Sequence, residues 1–164
     1  MLSGDELVRR LEATGLVKPG ELQGCSAEDV ARLESHFALR LPAAYKDFLR
    51  AVGRNPGRLM NDCQFRCQDL PSMDGFARGM LVDCEGDRLR LPPKAFVWLT
   101  RPPEQFLFFV ADGSSEDPPV FRYMEEEGEF ERVADSFWQA IEPELRFLEG
   151  RRGKWSMDDS PEQL

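Results

Sequence analysis

The sequence predicts an α+β fold: a twisted, mostly antiparallel sheet with helices from both ends of the chain packed against it. Three observations carry this expectation. Apolar residues recur at helical spacing through the first half of the chain. From Phe96 onward they collect in short aromatic and β-branched runs, and a last helical pattern follows Ser136. At 164 residues the chain fits one domain, placed at 1–149, with a polar tail at 150–164.

Taken in order, Ser3-Gly4-Asp5-Glu6 reads as a capping box, after which Leu7, Val8 and Leu11 form an apolar stripe that Gly15 stops. Ser26 is the next cap, with Asp29 three residues on and Val30, Leu33 and Phe37 at helical spacing. The chain then turns at Leu41-Pro42, because proline disfavours helix in the residue before it and is well placed as the first helical residue itself. Tyr45, Phe48, Leu49 and Val52 follow at i, i+3, i+4 and i+7, so one face carries all four, and Gly53 ends the run.

Residues 53–69 are rich in Gly, Pro, Asn and Asp, with one short strand expected around Phe65. Pro71 opens a further amphipathic helix through Met73, Phe76, Ala77, Met80 and Leu81, up to Asp83. Phe96–Leu99 and Phe106–Val110 read as a hairpin across Arg101-Pro102-Pro103-Glu104. Two more strands, Val120–Tyr123 and Phe130–Val133, complete a meander across the Glu125–Gly128 turn. Ser136 caps a last helix carrying Phe137, Ile141, Leu145 and Leu148, with Pro143 expected to kink or restart it. In the tail, Trp155 is the one residue suited to docking back on the domain.

The charge balance of 21 basic against 30 acidic residues gives a formal net charge of -9. Such a chain lacks the clustered Lys and Arg that displace counterions from a phosphate backbone, so nucleic acid is not the expected partner. The same charge favours a basic partner surface, and it equally serves plain solubility or halophily. The start of the chain has no basic stretch leading into an apolar one, and no apolar run approaches the ~20 residues of a membrane helix. The expected location is the cytoplasm, where Cys25, Cys63, Cys67 and Cys84 are kept as thiols.

Few residues carry signals for chemistry. His36 is the one histidine and flanks the buried stripe of its helix, about 60° from Leu33, so it reads as a surface or boundary side chain rather than a catalytic base. Cys63 and Cys67 are spaced as a zinc pair can be, yet no second tight pair accompanies them. Inert thiols are the expectation, with no metal and no cofactor. No nucleophile elbow, HExxH or phosphate-cradling glycine motif occurs.

The segment Cys25-Ser26-Ala27-Glu28-Asp29-Val30 through Leu41-Pro42-Ala43-Ala44-Tyr45-Lys46-Asp47-Phe48-Leu49 is followed later by Phe106-Leu107-Phe108-Phe109-Val110-Ala111-Asp112-Gly113. With Asp117-Pro118-Pro119-Val120-Phe121 and Asp135-Ser136-Phe137, these stretches resemble the signature of the SUKH superfamily over residues 25–148. That superfamily's α+β fold is shared by bacterial toxin-immunity proteins and fungal cell-wall-assembly regulators. The matched residues are caps, corners and core positions, so the signature is one of fold and carries no chemistry of its own. The stretch from Cys63 to Asp83 matches less well.

The resemblance implies a protein that binds other proteins and is not an enzyme. It points first to an immunity protein that neutralises a cognate toxin domain by stoichiometric, non-covalent occlusion. A regulatory or scaffold module of the same fold outside any toxin system is the alternative, and an unrecognised hydrolase ranks after both. Joined to the sign of the charge, it assigns Asp112, Glu116, Asp117, Glu125, Glu126, Glu127 and Glu129 to one acidic surface for a basic partner. The plainer reading of the same residues is a solvated charged face.

Overall fold

Local chemistry starts the first two helices, and a contact from a distant part of the chain caps the third. A computed structural model describes residues 2–18, 20–82 and 89–151. Helix α1 (Gly4–Ala13) begins at Ser3, whose hydroxyl accepts the Glu6 amide. The return bond from Glu6 is not made, because its carboxylate pairs with Arg9 instead, so only half of the expected capping box forms. Helix α2 (Ala27–Phe37) has the complete box: Ser26 accepts from the Asp29 amide at 3.1 Å and Asp29 accepts from the Ser26 amide at 2.9 Å.

At the Leu41-Pro42 corner the Leu41 amide donates to the Glu34 carboxylate, and helix α3 (Ala43–Val52) follows. Pro42 stands one position earlier than expected, as the N-cap with extended ψ of 150°, and has no side-chain donor or acceptor to cap with. Tyr45, Phe48, Leu49 and Val52 are all fully buried. Gly24 lets the preceding chain cross the end of α3. A Cβ there would lie 1.5 Å from the Arg50 carbonyl oxygen, which backbone cannot yield.

Residues 53–69 form a loop in which the strand expected near Phe65 shrinks to a single bridge. Gln64 and Thr100 exchange amide-to-carbonyl bonds of 2.8 and 2.9 Å. Turns at residues 61–62 and 67–69 bound the segment and leave no room for a longer strand, while Phe65 itself is buried. Helix α4 (Leu70–Met80), with Pro71 in its first turn, buries Leu70, Met73 and Ala77. The helix stops at Met80 with Leu81 as its C-cap, short of the expected Asp83, which itself lies outside the described residues.

Strands β1 (Ala95–Arg101), β2 (Gln105–Val110), β3 (Val120–Met124) and β4 (Phe130–Ala134) pair antiparallel in chain order, a meander as the sequence suggested. Six of the seven β1 residues are buried, because helices cover both faces of that strand. Trp98 shares the main-core face with Phe96, its indole 5.0 Å from the Phe137 ring, and the bulge at this position brings Leu99 to the same face.

Helix α5 (Phe137–Gly150) starts at Ser136 and passes through Pro143 without restarting, against the sequence expectation. Pro143 lies about 200° around the helix from buried Ile141, and both it and Gln139, whose carbonyl loses its donor, are exposed. Water can satisfy that carbonyl while Phe137, Ile141, Leu145 and Leu148 hold the helix down on the opposite side. Gly150, the first residue of the expected tail, is the last of α5 and Arg151 is its C-cap, while the rest of the tail with Trp155 lies outside the described residues.

Helices α1, α2, α3 and α5 pack on one face of the sheet, where Phe96, Trp98, Phe109 and Val120 join the main core. Helix α1 is latched to α5 by Arg10, which donates to Glu149 at 2.7 and 2.8 Å and to Glu142 at 3.0 and 3.1 Å. A smaller core of Ala77, Leu81, Ala95, Val97, Phe106, Phe108 and Tyr123 lies on the other face, beneath α4.

Candidate functional site

The seven carboxylates expected to form one surface are divided by the meander. Asp112, Glu116 and Asp117 lie in the β2–β3 loop, whereas Glu125, Glu126, Glu127 and Glu129 lie in the β3–β4 turn. Those connections sit at opposite ends of β3, whose five residues span about 13 Å at ~3.3 Å per residue. They do not make one patch.

The loop cluster is largely occupied with the fold. The Glu116 carboxylate accepts the Ala43 amide at 2.8 Å and the Arg40 guanidinium at 3.1 Å, and its carbonyl accepts the Ala44 amide at 2.9 Å. It thereby caps α3, doing for that helix what Pro42 cannot. Asp117 accepts the Trp138 amide at 3.3 Å and so joins Ser136 at the start of α5. Asp112 accepts the Ser114 amide at 2.9 Å in a local turn, and the Ser114 hydrogen bonds hold its carboxyl below the usual carboxylate range.

The turn cluster is different. Glu125, Glu126 and Glu129 are exposed and make no ion pair among the described residues. Glu127 shares Arg122 with Glu131, at 3.4 and 2.5 Å. Antiparallel pairing also brings the β1–β2 turn to this end, where the Glu125 amide donates to the Glu104 carbonyl at 3.0 Å. Glu104 is exposed and unpaired as well, and was not among the residues singled out from the sequence. The signal that finds it is the meander itself, in which the first and third turns always share an end. Nearby Arg101 is already paired with Asp62. Uncompensated negative charge therefore collects at the tips of the β1–β2 and β3–β4 turns.

Residues suited to catalysis or metal binding do not gather. His36 is exposed on the last turn of α2, its ring edge-on to Phe37 at 4.8 Å, with no hydrogen bond or ion pair among the described residues. Cys25 is buried beside Cys67. Burial first, and then the hydrogen bond with Cys67, push its thiol far above the ordinary range. Cys63 is pushed up to about 12, by burial and then by neighbouring Asp62. Thiols held this firmly protonated are poor nucleophiles. Among the described residues no three His, Cys, Asp or Glu side chains come together as a metal site, and Cys84 lies outside those residues.

The family model described as SMI1 / KNR4 family (SUKH-1) matches residues 24–142, from the residue before Cys25 to the middle of α5. The chain belongs to the SMI1/KNR4 family. A search of curated proteins returned no match. The SMI1/KNR4 match takes in the Ser26 cap, the Leu41-Pro42 corner, the whole sheet and the start of α5, while α1 and its Arg10 latch partner Glu149 lie outside it. Members of this family typically act by binding other proteins and are generally not enzymes. No helix among the described residues is long and apolar enough to cross a membrane.

Proposed function

We propose that this protein is an immunity protein that neutralises a cognate toxin domain in the cytoplasm by stoichiometric, non-covalent occlusion. The contact surface is the acidic end of the sheet formed by Glu104, Glu125, Glu126, Glu127 and Glu129. Support comes from membership of the SMI1/KNR4 family together with the unpaired carboxylates at that end. Asp112 extends the field weakly from the far end, and Glu116 and Asp117 are mainly helix caps. A basic toxin surface is drawn to uncompensated charge of this kind, and wrong partners are repelled by it. The domain needs no cofactor for such a role, because its action is to cover a surface.

The experiment is to purify the toxin domain encoded beside this gene and measure its association with wild type and with Glu125→Lys/Glu126→Lys/Glu127→Lys, at low and high salt. Steering fades as the screening length falls to about 10 Å near 0.1 M salt. The triple variant should associate at least about tenfold more slowly at low salt and show a weaker salt dependence. Equal rates at low salt would move the contact surface elsewhere. A neighbouring gene that encodes no toxin, with no toxicity relieved by this chain, would point instead to a regulatory or scaffold role.

A further inference from the structure

The two faces of the sheet are covered unequally. Three interstrand spacings of ~4.8 Å make the sheet about 14 Å wide, whereas one helix with its side chains is about 10 Å across. Four helices share the main-core face, but the other face has α4 alone, and α4 packs along β1. The end of α4 reaches β3, where its Met80 carbonyl accepts the Tyr123 hydroxyl at 3.4 Å, and beyond that point no helix among the described residues packs along the Phe121 and Phe130 corner of that face. Its side chains are aromatic: Phe121 is stacked on Phe108 at 5.4 Å, and Phe130 stands edge-on to Phe108 at 5.0 Å and to Tyr123 at 6.0 Å. Phe108 and Tyr123 are buried beneath, while Phe121 and Phe130 are only partly buried. On α4, Phe76 is 36% exposed and lies one turn before Met80, which packs against this second core.

Two neighbouring features decide what fits there. Phe130 follows directly on the Glu125–Glu129 turn, so the rings are rimmed at one end by the unpaired carboxylates Glu125, Glu126 and Glu129. The two arginines of β3 and β4 are already engaged, Arg122 by Glu127 and Glu131 and Arg132 by Asp135. An apolar seat with an acidic rim suits a segment that is apolar on one side and carries Lys or Arg at its edge.

We propose that Phe121, Phe130 and Phe76 seat an amphipathic, basic segment of the protein partner. Its apolar side covers the rings and its cations meet Glu125, Glu126 and Glu129. This inference rests on the reading of the chain as a binder of a basic partner, and it adds where the binding energy resides: the carboxylates steer, and the rings hold.

The test uses the purified full chain and the domain encoded beside its gene. Phe130→Ser should weaken equilibrium binding by about tenfold or more, chiefly through faster dissociation, and Phe76→Ser by several-fold. The Lys triple variant should act mainly on association. Because Phe130→Ser removes a half-buried ring, thermal unfolding is measured alongside. A photo-reactive benzoylphenylalanine is also placed at position 76 and, as a control, at exposed position 147 on α5. Cross-linking to the partner from 76 and not from 147 is the expected result. If wild type binds but Phe76→Ser and Phe130→Ser bind equally well, or the cross-link forms from 147 alone, this face is not the seat. If the wild-type chain binds no such domain, the immunity reading fails and takes this inference with it. Concentration-dependent self-association abolished by Phe76→Ser would assign the face to a second copy of the chain and overturn the proposal.

Discussion

Phe48 shows how much of this core rests on single side chains. It is fully buried, and its ring contacts those of Phe65, Phe137, Trp98 and Trp138 at centroid distances of 5.3 to 6.4 Å. Phe48→Ala should cost about 3–5 kcal/mol in chemical denaturation, and a loss below about 1 kcal/mol would mean that the site collapses or is not buried. Asp29 makes a different kind of statement. Its carboxyl is held down to about 2 from an ordinary 3.8, first by Arg54 and then by Ser26. A carboxylate whose folded pKa is depressed stabilises the fold above its unfolded pKa, and that stability is lost as pH falls through the folded value. The melting temperatures of wild type and Asp29→Asn should therefore differ at pH 6 and converge between about pH 4 and pH 2. A constant difference down to pH 2 would place the effect in packing. The cysteines should titrate as four thiols in denatured protein, and elemental analysis of the native protein should find no zinc. One tightly held equivalent would overturn the reading of Cys63 and Cys67 as inert.

At the scale of elements, the helix starts separate local from long-range capping. Helices α2 and α5 bring their own serines, but α3 begins at a proline and depends on Glu116, 73 residues away in sequence. Glu116→Ala should lower stability by about 1 kcal/mol, the usual worth of an N-cap, although the Glu116 carbonyl still holds the Ala44 amide. Glu126→Ala, an exposed residue with no partner, should change nothing measurable in the same denaturation experiment. Helix α5 is instructive in another way. Proline in a helix interior removes a hydrogen bond and crowds the preceding turn, yet five buried residues along α5 outweigh that cost. Propensity put a break at Pro143, and burial removed it.

For the whole molecule, the separation of steering charge from the fold has a stability consequence. Each Glu→Lys change adds two charges, so three of them take the formal charge from -9 to -3. Glu125→Lys/Glu126→Lys/Glu127→Lys should nevertheless leave stability within about 0.5 kcal/mol of wild type, because exposed charges contribute little and Arg122 keeps Glu131 when Glu127 is lost. A larger loss in denaturation would show that the turn carries structure as well as charge. The sequence by itself determined the serine caps of α1, α2 and α5, the Leu41-Pro42 corner, the buried face of α3, the four strands and their meander, because each follows from residues close together in the chain. The same local signals carried the family resemblance. Tertiary structure decided the rest. It parted the acidic residues to opposite ends of β3, enlisted Glu116 and Asp117 as caps for distant helices, brought Glu104 to the acidic end, carried α5 through Pro143 and left the Phe121 and Phe130 corner of one sheet face without a covering helix among the described residues. The reason is physical: a carboxylate's role is set by the amide or cation it meets across the fold, and a sheet face is covered or bare according to how many helices reach it.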